Sequence, residues 1–240
     1  MKIIAISDLH GFLPEIPPCD LLLIAGDICP TSNHRVPFQA EWLNTVFRVW
    51  LESLRQVGKV IGIAGNHDFI FQNAAHLVPP DLNWIYLEDS LTEYRGLRIW
   101  GTPWQPWFHD WAFNFLPGPA GEDQATRKWT QIPNDTAILV THGPPQHILD
   151  ETIRGRHVGC PQLLHRIHQL KALKLHVFGH IHESYGTHIE DGVLHVNACT
   201  CDHRALTNMI RRVCPWDTRC KYRPARLLGH WPSRTPSVGN

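Results

Sequence analysis

Charge is scarce in this chain of 240 residues: only 18% of positions are Asp, Glu, Lys or Arg, and 22 basic residues offset 22 acidic ones. A formal net charge of zero argues against a nucleic-acid partner held by global basicity, and against an acidic solvating protein. No C-x-x-C pair occurs among the seven cysteines, at positions 19, 29, 160, 199, 201, 214 and 220. That removes a zinc ribbon and a redox dithiol, and an odd, scattered set predicts reduced thiols in a cytoplasmic protein. Long apolar runs are missing too. The opening Met1–Ile6 is broken by Ser7-Asp8-Leu9-His10 before a signal-peptide core or a membrane span can form, so no membrane partner is expected. Nor is there an internal repeat, a low-complexity linker or a clear domain boundary before residue 202.

Histidine and tryptophan are plentiful instead, at 17 and 10 residues, in a chain that is 43% hydrophobic and so can bury a core. Imidazole is the commonest metal-binding side chain, so the histidines invite a search for ligands. The balanced charge also hides an asymmetry. Residues 203–240 hold eight Lys or Arg against Asp217 alone, which leaves residues 1–202 acidic. We therefore expect one domain over 1–202 and a basic, Arg- and Pro-rich tail over 203–240. With Trp216 and Trp231 scattered aperiodically, it reads first as a disordered end or as sequence from a shifted reading frame, and after those as a basic tail that binds polyanions.

One pattern repeats through the first 70 residues: a short apolar run, then a polar turn containing glycine. Lys2–Ser7 leads into Asp8-Leu9-His10-Gly11, Leu21–Ala25 into Gly26-Asp27, and Val60–Ala64 into Gly65-Asn66-His67-Asp68. Runs of this kind suit strands buried on both faces. Between the last two, Leu43, Phe47, Trp50, Leu54 and Val57 recur at helical spacing and predict an amphipathic helix over 40–57. Later runs at 84–87, 91–94, 97–100, 137–140 and 175–178 read as strands, and 187–190 with 193–197 as a hairpin across Asp191-Gly192. Pro161–Leu170 reads as a helix with proline in its first turn.

Five polar clusters follow five of these runs: Asp8-x-His10, Gly26-Asp27, Gly65-Asn66-His67-Asp68, His142-Gly143 and Gly179-His180-x-His182. In one twisted sheet their strand ends share an edge, where open α/β folds bind ligands. If that backbone is extended, residues two apart point the same way, so Asp8 acts with His10 and His180 with His182. Carboxylates, an amide oxygen and imidazoles without sulfur suit Mn, Fe, Zn, Co or Ni rather than Ca.

This ordered set resembles the calcineurin-like metallophosphoesterase superfamily over about residues 1–200. Gly101-Thr102-Pro103-Trp104-Gln105-Pro106, Trp111-Ala112-Phe113-Asn114, Thr141-His142-Gly143-Pro144-Pro145 and Val177–Glu183 look like its metallophosphoesterase-domain-containing subfamily, which is related to class III cyclic nucleotide phosphodiesterases. The resemblance implies an α/β fold, a four-layer αββα sandwich around two mixed β-sheets. It implies two divalent transition-metal ions, manganese first among them: Asp8, His10 and His182 on one, Asn66, His142 and His180 on the other, Asp27 bridging. It also implies a phosphodiester or nucleotide substrate, possible cyclic nucleotides included, cut by a metal-activated hydroxide. His67 is the candidate general acid, with Asp68 beside it to orient its ring and raise its pKa. The alternatives are a phosphomonoesterase and a non-catalytic scaffold, and the complete ligand set argues against the scaffold. The Trp-rich stretch 100–115 reads mostly as a hydrophobic cap, with a nucleobase platform as the sharper alternative.

Overall fold

The computed structural model describes residues 1–201 and the strand 226–230; the rest of the predicted tail lies outside the described residues. Three parallel strands open the first sheet: β1 (Lys2–Ile6), β2 (Cys19–Ala25) and β3 (Val57–Ile63). The short β4 (Ile85–Tyr86) continues it beyond β3. The second sheet runs in the order β5-β6-β7-β8-β10-β9. Its strands are β5 (Ser90–Tyr94), β6 (Leu97–Thr102), β7 (Ile138–Thr141), β8 (Leu175–Phe178), β9 (Gly186–Glu190) and β10 (Val193–Asn197). The β5–β6 and β9–β10 hairpins make its two edges antiparallel around a parallel centre, so the sheet is mixed. The last strand, β11 (Arg226–His230), pairs antiparallel with β1, so part of the segment beyond residue 202 joins the first sheet.

Strand alternation sorts the apolar residues into layers. Ile3, Ala5, Leu21, Leu23, Ile61 and Ile63 face Ile99, Ile138, Val140, Leu175 and Val177 across the space between the sheets. Ile4, Ile6, Leu22 and Ile24 face outward onto Trp42, Leu43, Phe47, Trp50 and Leu51 of the helices. On the opposite outer face, Trp100 and Leu139 pack with Ala125, Trp129, Leu163 and Ile167. The result is the expected four-layer αββα sandwich.

Helix boundaries differ from expectation for local reasons. The predicted 40–57 helix begins earlier, as α1 (Val36–Trp42) with Pro37 in its first turn. It passes through a π-helical turn at Leu43–Phe47 and ends as α2 (Arg48–Ser53). Val57 falls outside because β3 claims it for pairing with Cys19. A short α3 (Phe69–Asn73) follows the third polar cluster. Helix α4 (Pro119–Trp129) was not foreseen, since its buried stripe is only Gly121, Ala125 and Trp129. Helix α5 (Pro161–Gln169) lies where it was expected. No helix among the described residues is long and apolar enough to cross a membrane.

Candidate metal centre

All five polar clusters meet at the carboxyl ends of the strands, and backbone bonds hold them there. Beyond β1 the chain runs alongside the loop that follows β2, through Asp8 N–H to Gly26 O at 3.0 Å, His10 N–H to Asp27 O at 2.8 Å and Gly11 N–H to Ile28 O at 3.0 Å. Gly179 N–H donates to His142 O at 2.9 Å, joining the loops after β7 and β8. Glycine is needed where these loops touch. A Cβ on Gly179 would run into the Asp8 carboxylate and Ser7 Oγ, and one on Gly65 into Asp27.

The expected i, i+2 pairs do converge, but not through extended backbone. Asp8, His10, Asp27 and His180 have φ of 56°, 47°, 52° and 68°, in the left-handed region that non-glycine residues seldom occupy. Tightly packed surroundings must hold such conformations, and they concentrate at functional sites.

The side chains form two groups around one carboxylate. In the first, His182 Nε2 lies 3.0 Å from Asp8 Oδ1 and 3.3 Å from His10 Nε2. In the second, Asn66 Oδ1 lies 2.8 Å from His142 Nε2 and 2.7 Å from His180 Nδ1. Asp27 Oδ2 borders both, 3.8 Å from His10 Nε2 and 3.5 Å from His142 Nε2. Ligand atoms of Asp8, His10 and His182 all lie within 4.8 Å of one another, as do those of Asp8, Asp27 and His142 and those of His10, Asp27 and His67. Asp8, His10, Asp27, Asn66, His142 and His182 are buried, and His180 is partly so.

These donors fit divalent ions. His142 Nδ1 sits 2.9 Å from the Ala25 carbonyl oxygen, so Nδ1 carries a proton and Nε2 is the nitrogen turned toward the site. Nε2 lies 2.8 Å from Asn66 Oδ1 and 3.5 Å from Asp27 Oδ2, two acceptors that a proton or a cation at this nitrogen would satisfy. Metal–nitrogen bonds of about 2.0–2.1 Å set two nitrogens on one ion roughly 3–3.4 Å apart, the range in which His10 and His182 stand.

The local electrostatics agree. Burial opposes charge on His142, yet the Asp27 and Asp8 carboxylates lift its pKa to about 9, so this pocket draws positive charge. Asp27 is pushed up by burial but held well below the usual carboxylate range by His142 and His67. Burial dominates at His10 and His180 and lowers both to about 3, which keeps their rings in the neutral, ligating form.

Asp68 does not do what its position suggested. Its buried carboxylate accepts Cys29 N–H at 2.8 Å, Gly65 N–H at 2.8 Å and Ile28 N–H at 3.0 Å, tying the loop after β2 to the loop after β3. The ring of His67 instead meets His34, with Nδ1 and Nε2 3.0 Å apart. Burial lowers the His67 pKa in spite of Asp27, so the expected upward shift is corrected as well. Sequence reasoning missed His34, which stands in an unpatterned loop. It also missed Cys199, whose thiol donates to Asp8 Oδ2 at 3.0 Å. Gln39 carried a readable signal, an amide four residues before Leu43 on the apolar stripe. It donates to His67 O at 2.7 Å and accepts Ile70 N–H at 2.9 Å.

The Trp-rich stretch divides. Trp100, Phe113 and Phe115 are buried in the cores, whereas Trp107 and Phe108 are about half exposed, at 51% and 49%. The Trp111 ring lies 4.3 Å from that of His67, and the Phe108 ring 6.5 Å from that of His180. The stretch is a cap at its ends and the rim of the centre in its middle.

Residues 1–184 match the family model described as Calcineurin-like phosphoesterase. The human Metallophosphoesterase domain-containing protein 1 is 36% identical over 227 residues, covering 83% of this chain and 66% of that protein. The Caenorhabditis elegans UPF0046 protein T07D4.2 is 32% identical over 235 residues, covering 84% of this chain and 56% of that protein. The chain thus spans about two thirds of the length of the human relative, or less for the nematode one. Among solved structures, the phosphopantetheinyl hydrolase PptH of Mycobacterium tuberculosis superposes with a TM-score of 0.53 at 19% identity, over 98% of both chains, a likeness of fold.

Proposed function

The chain belongs to the calcineurin-like phosphoesterase family, and from that premise we propose that it hydrolyses phosphodiesters with two divalent transition-metal ions. Asp8, His10 and His182 would hold one, Asn66, His142 and His180 the other, and Asp27 both. One observation carries the reading: Asp27 Oδ2 borders the two groups at once, 3.8 Å from His10 Nε2 and 3.5 Å from His142 Nε2. Manganese is the first choice on family likeness, and iron, zinc, cobalt and nickel also suit this nitrogen and oxygen set. Bound there, two cations would supply a water of lowered pKa, neutralisation of phosphate oxygens and a template for in-line displacement at phosphorus.

The protein's own groups do the rest. His142 is kept in one tautomer by Ala25 O, and Asp8 is steadied by the His180 N–H at 3.0 Å and the Cys199 thiol. His67 is the general acid, its backbone pinned by N–H donation to Asp27 Oδ1 at 2.8 Å.

The diester reading draws on what surrounds the donors. A monoester dianion is best met by a fixed Lys or Arg near its terminal oxygens. Here the ion pairs of Asp8 and Asp27 among the described residues are with histidines, and the rim is Phe108 and Trp111. An apolar rim suits a second ester group such as an aryl or nucleoside, cyclic nucleotides included. The free, buried thiols of Cys19, Cys29 and Cys160 accord with a reducing, cytoplasmic setting.

The test is chelation followed by reconstitution with Mn²⁺ or Ca²⁺, assayed on bis(p-nitrophenyl) phosphate and p-nitrophenyl phosphate. Activity should vanish with chelator, return with Mn²⁺ far better than with Ca²⁺, and favour the diester. Full activity with no metal bound overturns the dimetal reading. Preference for the monoester makes the protein a phosphomonoesterase, and two bound metals without turnover on either ester make it a scaffold.

A further inference from the structure

The candidate general acid has a partner of its own type. His34, in the loop between β2 and α1, brings Nε2 to 3.0 Å from His67 Nδ1. Its ring lies 5.0 Å from the His67 ring and 5.0 Å from the Phe69 ring, tilted 35° from each. Trp111 packs on His67 at 4.3 Å. The His67 backbone is fixed by Asp27 on its N–H and by Gln39 on its carbonyl. What those contacts leave undetermined is how the ring is turned and which nitrogen carries a proton. Asp68, the adjacent carboxylate, is already occupied by backbone N–H groups.

We propose that His34 is a positioning residue for His67, accepting the Nδ1 proton of His67 on its own Nε2 and so leaving His67 Nε2 for the leaving oxygen of the ester. The proposal rests on the reading of His67 as general acid. A histidine about to donate from Nε2 is protonated on both nitrogens and is a donor at each. The ring nitrogen 3.0 Å from Nδ1 must then offer a lone pair, so His34 is neutral with its proton on Nδ1. In the transfer, the His67 Nε2–H bond breaks, an O–H bond forms on the departing oxygen, and His67 becomes neutral. It keeps Nδ1–H, so the bond to His34 persists. Such a bond fixes both tautomer and ring orientation, as a buried acid does for the histidine of a hydrolytic triad.

The test uses metal-loaded protein and two esters that differ in leaving group, methyl p-nitrophenyl phosphate and methyl phenyl phosphate. His34→Phe keeps a ring against Phe69 and removes the acceptor; His34→Gln keeps an acceptor; His67→Ala and His34→Phe/His67→Ala complete the set. We expect His34→Phe to lower kcat on the phenyl ester by about 10–100-fold, the usual cost of losing a group that orients a functional histidine. The nitrophenyl ester, whose leaving group needs little protonation, should change little, and metal content not at all. His34→Gln should recover most of the loss, and the double variant should match His67→Ala. If His34→Phe does not fold, His34→Ala carries the same comparison.

Equal losses on both esters, a fall in bound metal, or a double variant slower than His67→Ala overturns the role of His34. The two readings fail in different ways. A His67→Ala that loses equally on both esters removes the acid itself and His34 with it. A His67→Ala that is selective beside a His34→Phe that is not removes His34 alone.

Discussion

Replacing Asp68 separates a structural anchor from a catalytic partner. The carboxylate is fully buried, and three backbone N–H groups, those of Ile28, Cys29 and Gly65, donate to it at 2.8 to 3.0 Å. Removing it by Asp68→Ala strands all three donors in the interior. A buried unsatisfied N–H costs about 1–3 kcal/mol, so the loss should be on the order of 3–6 kcal/mol once partial relaxation is allowed. Asp68→Asn keeps one oxygen for Ile28 and Cys29 but turns an amide N–H₂ toward the Gly65 donor. Against that loss stands the relief of a charge that burial and the neighbouring Asp27 already disfavour, since together they raise the Asp68 pKa to about 6. A net cost of about 2 kcal/mol follows for the amide.

In a domain of this size each kcal/mol moves Tm by about 2–4 °C. The expected falls are thus about 4–8 °C for Asp68→Asn and about 6–24 °C for Asp68→Ala. The assay is thermal unfolding of the metal-loaded protein, with kcat on the two methyl phosphates measured beside it. As an anchor, Asp68 should lose stability first, and any loss of turnover should be equal on both esters. An Asp68→Asn protein of unchanged Tm, slow on the phenyl ester alone, would refute this reasoning and return Asp68 to the ring of His67.

Asp27→Asn should release more metal than His10→Ala, because Asp27 borders both ligand groups whereas His10 belongs to one. Metal analysis after desalting checks this, and equal stoichiometries would contradict the bridge. Acid should destabilise the fold partly through His195, whose pKa burial lowers from 6.5 to about 4. Below pH 6.5 the unfolded chain binds the proton that the folded ring refuses, so stability is complete above that pH and is lost as pH falls toward 4. At pH 5 the loss from this ring is about 2 kcal/mol. Thermal melts of His195→Gln at pH 5 and 7.5 should show a shallower dependence than the parent, and an identical one would exclude His195 as the source.

Much of the architecture could be read from the residues because the strands are buried on both faces. Leu21–Ala25 and Ile138–Val140 have no polar position for solvent to claim, so they read as buried strands, although β2 and β3 begin earlier than the apolar runs, at Cys19 and Val57. That Asp8, His10, Asp27, Asn66, His142, His180 and His182 come together could be read for the same reason, since each follows closely on such a run. Helix α4 could not, because a stripe of Gly121, Ala125 and Trp129 carries little apolar contrast. The strand Arg226–His230 was hidden as well, by the arginines and prolines around it.

Partnership, as opposed to position, was where sequence order misled. Asp68 adjoins His67 in the chain, and adjacency suggested that the carboxylate serves the ring. The left-handed φ of 52° at Asp27 turns the loop after β2 back toward the loop after β3, presenting Ile28 and Cys29 N–H to Asp68. A carboxylate engaged by three buried donors has little capacity left for an imidazole, so the ring of His67 takes its contact from a residue 33 positions earlier. The same turn that puts Asp27 between the two ligand groups therefore also decides which neighbour His67 keeps. A ligand and its supporting contacts are set together by backbone geometry that strand periodicity does not encode.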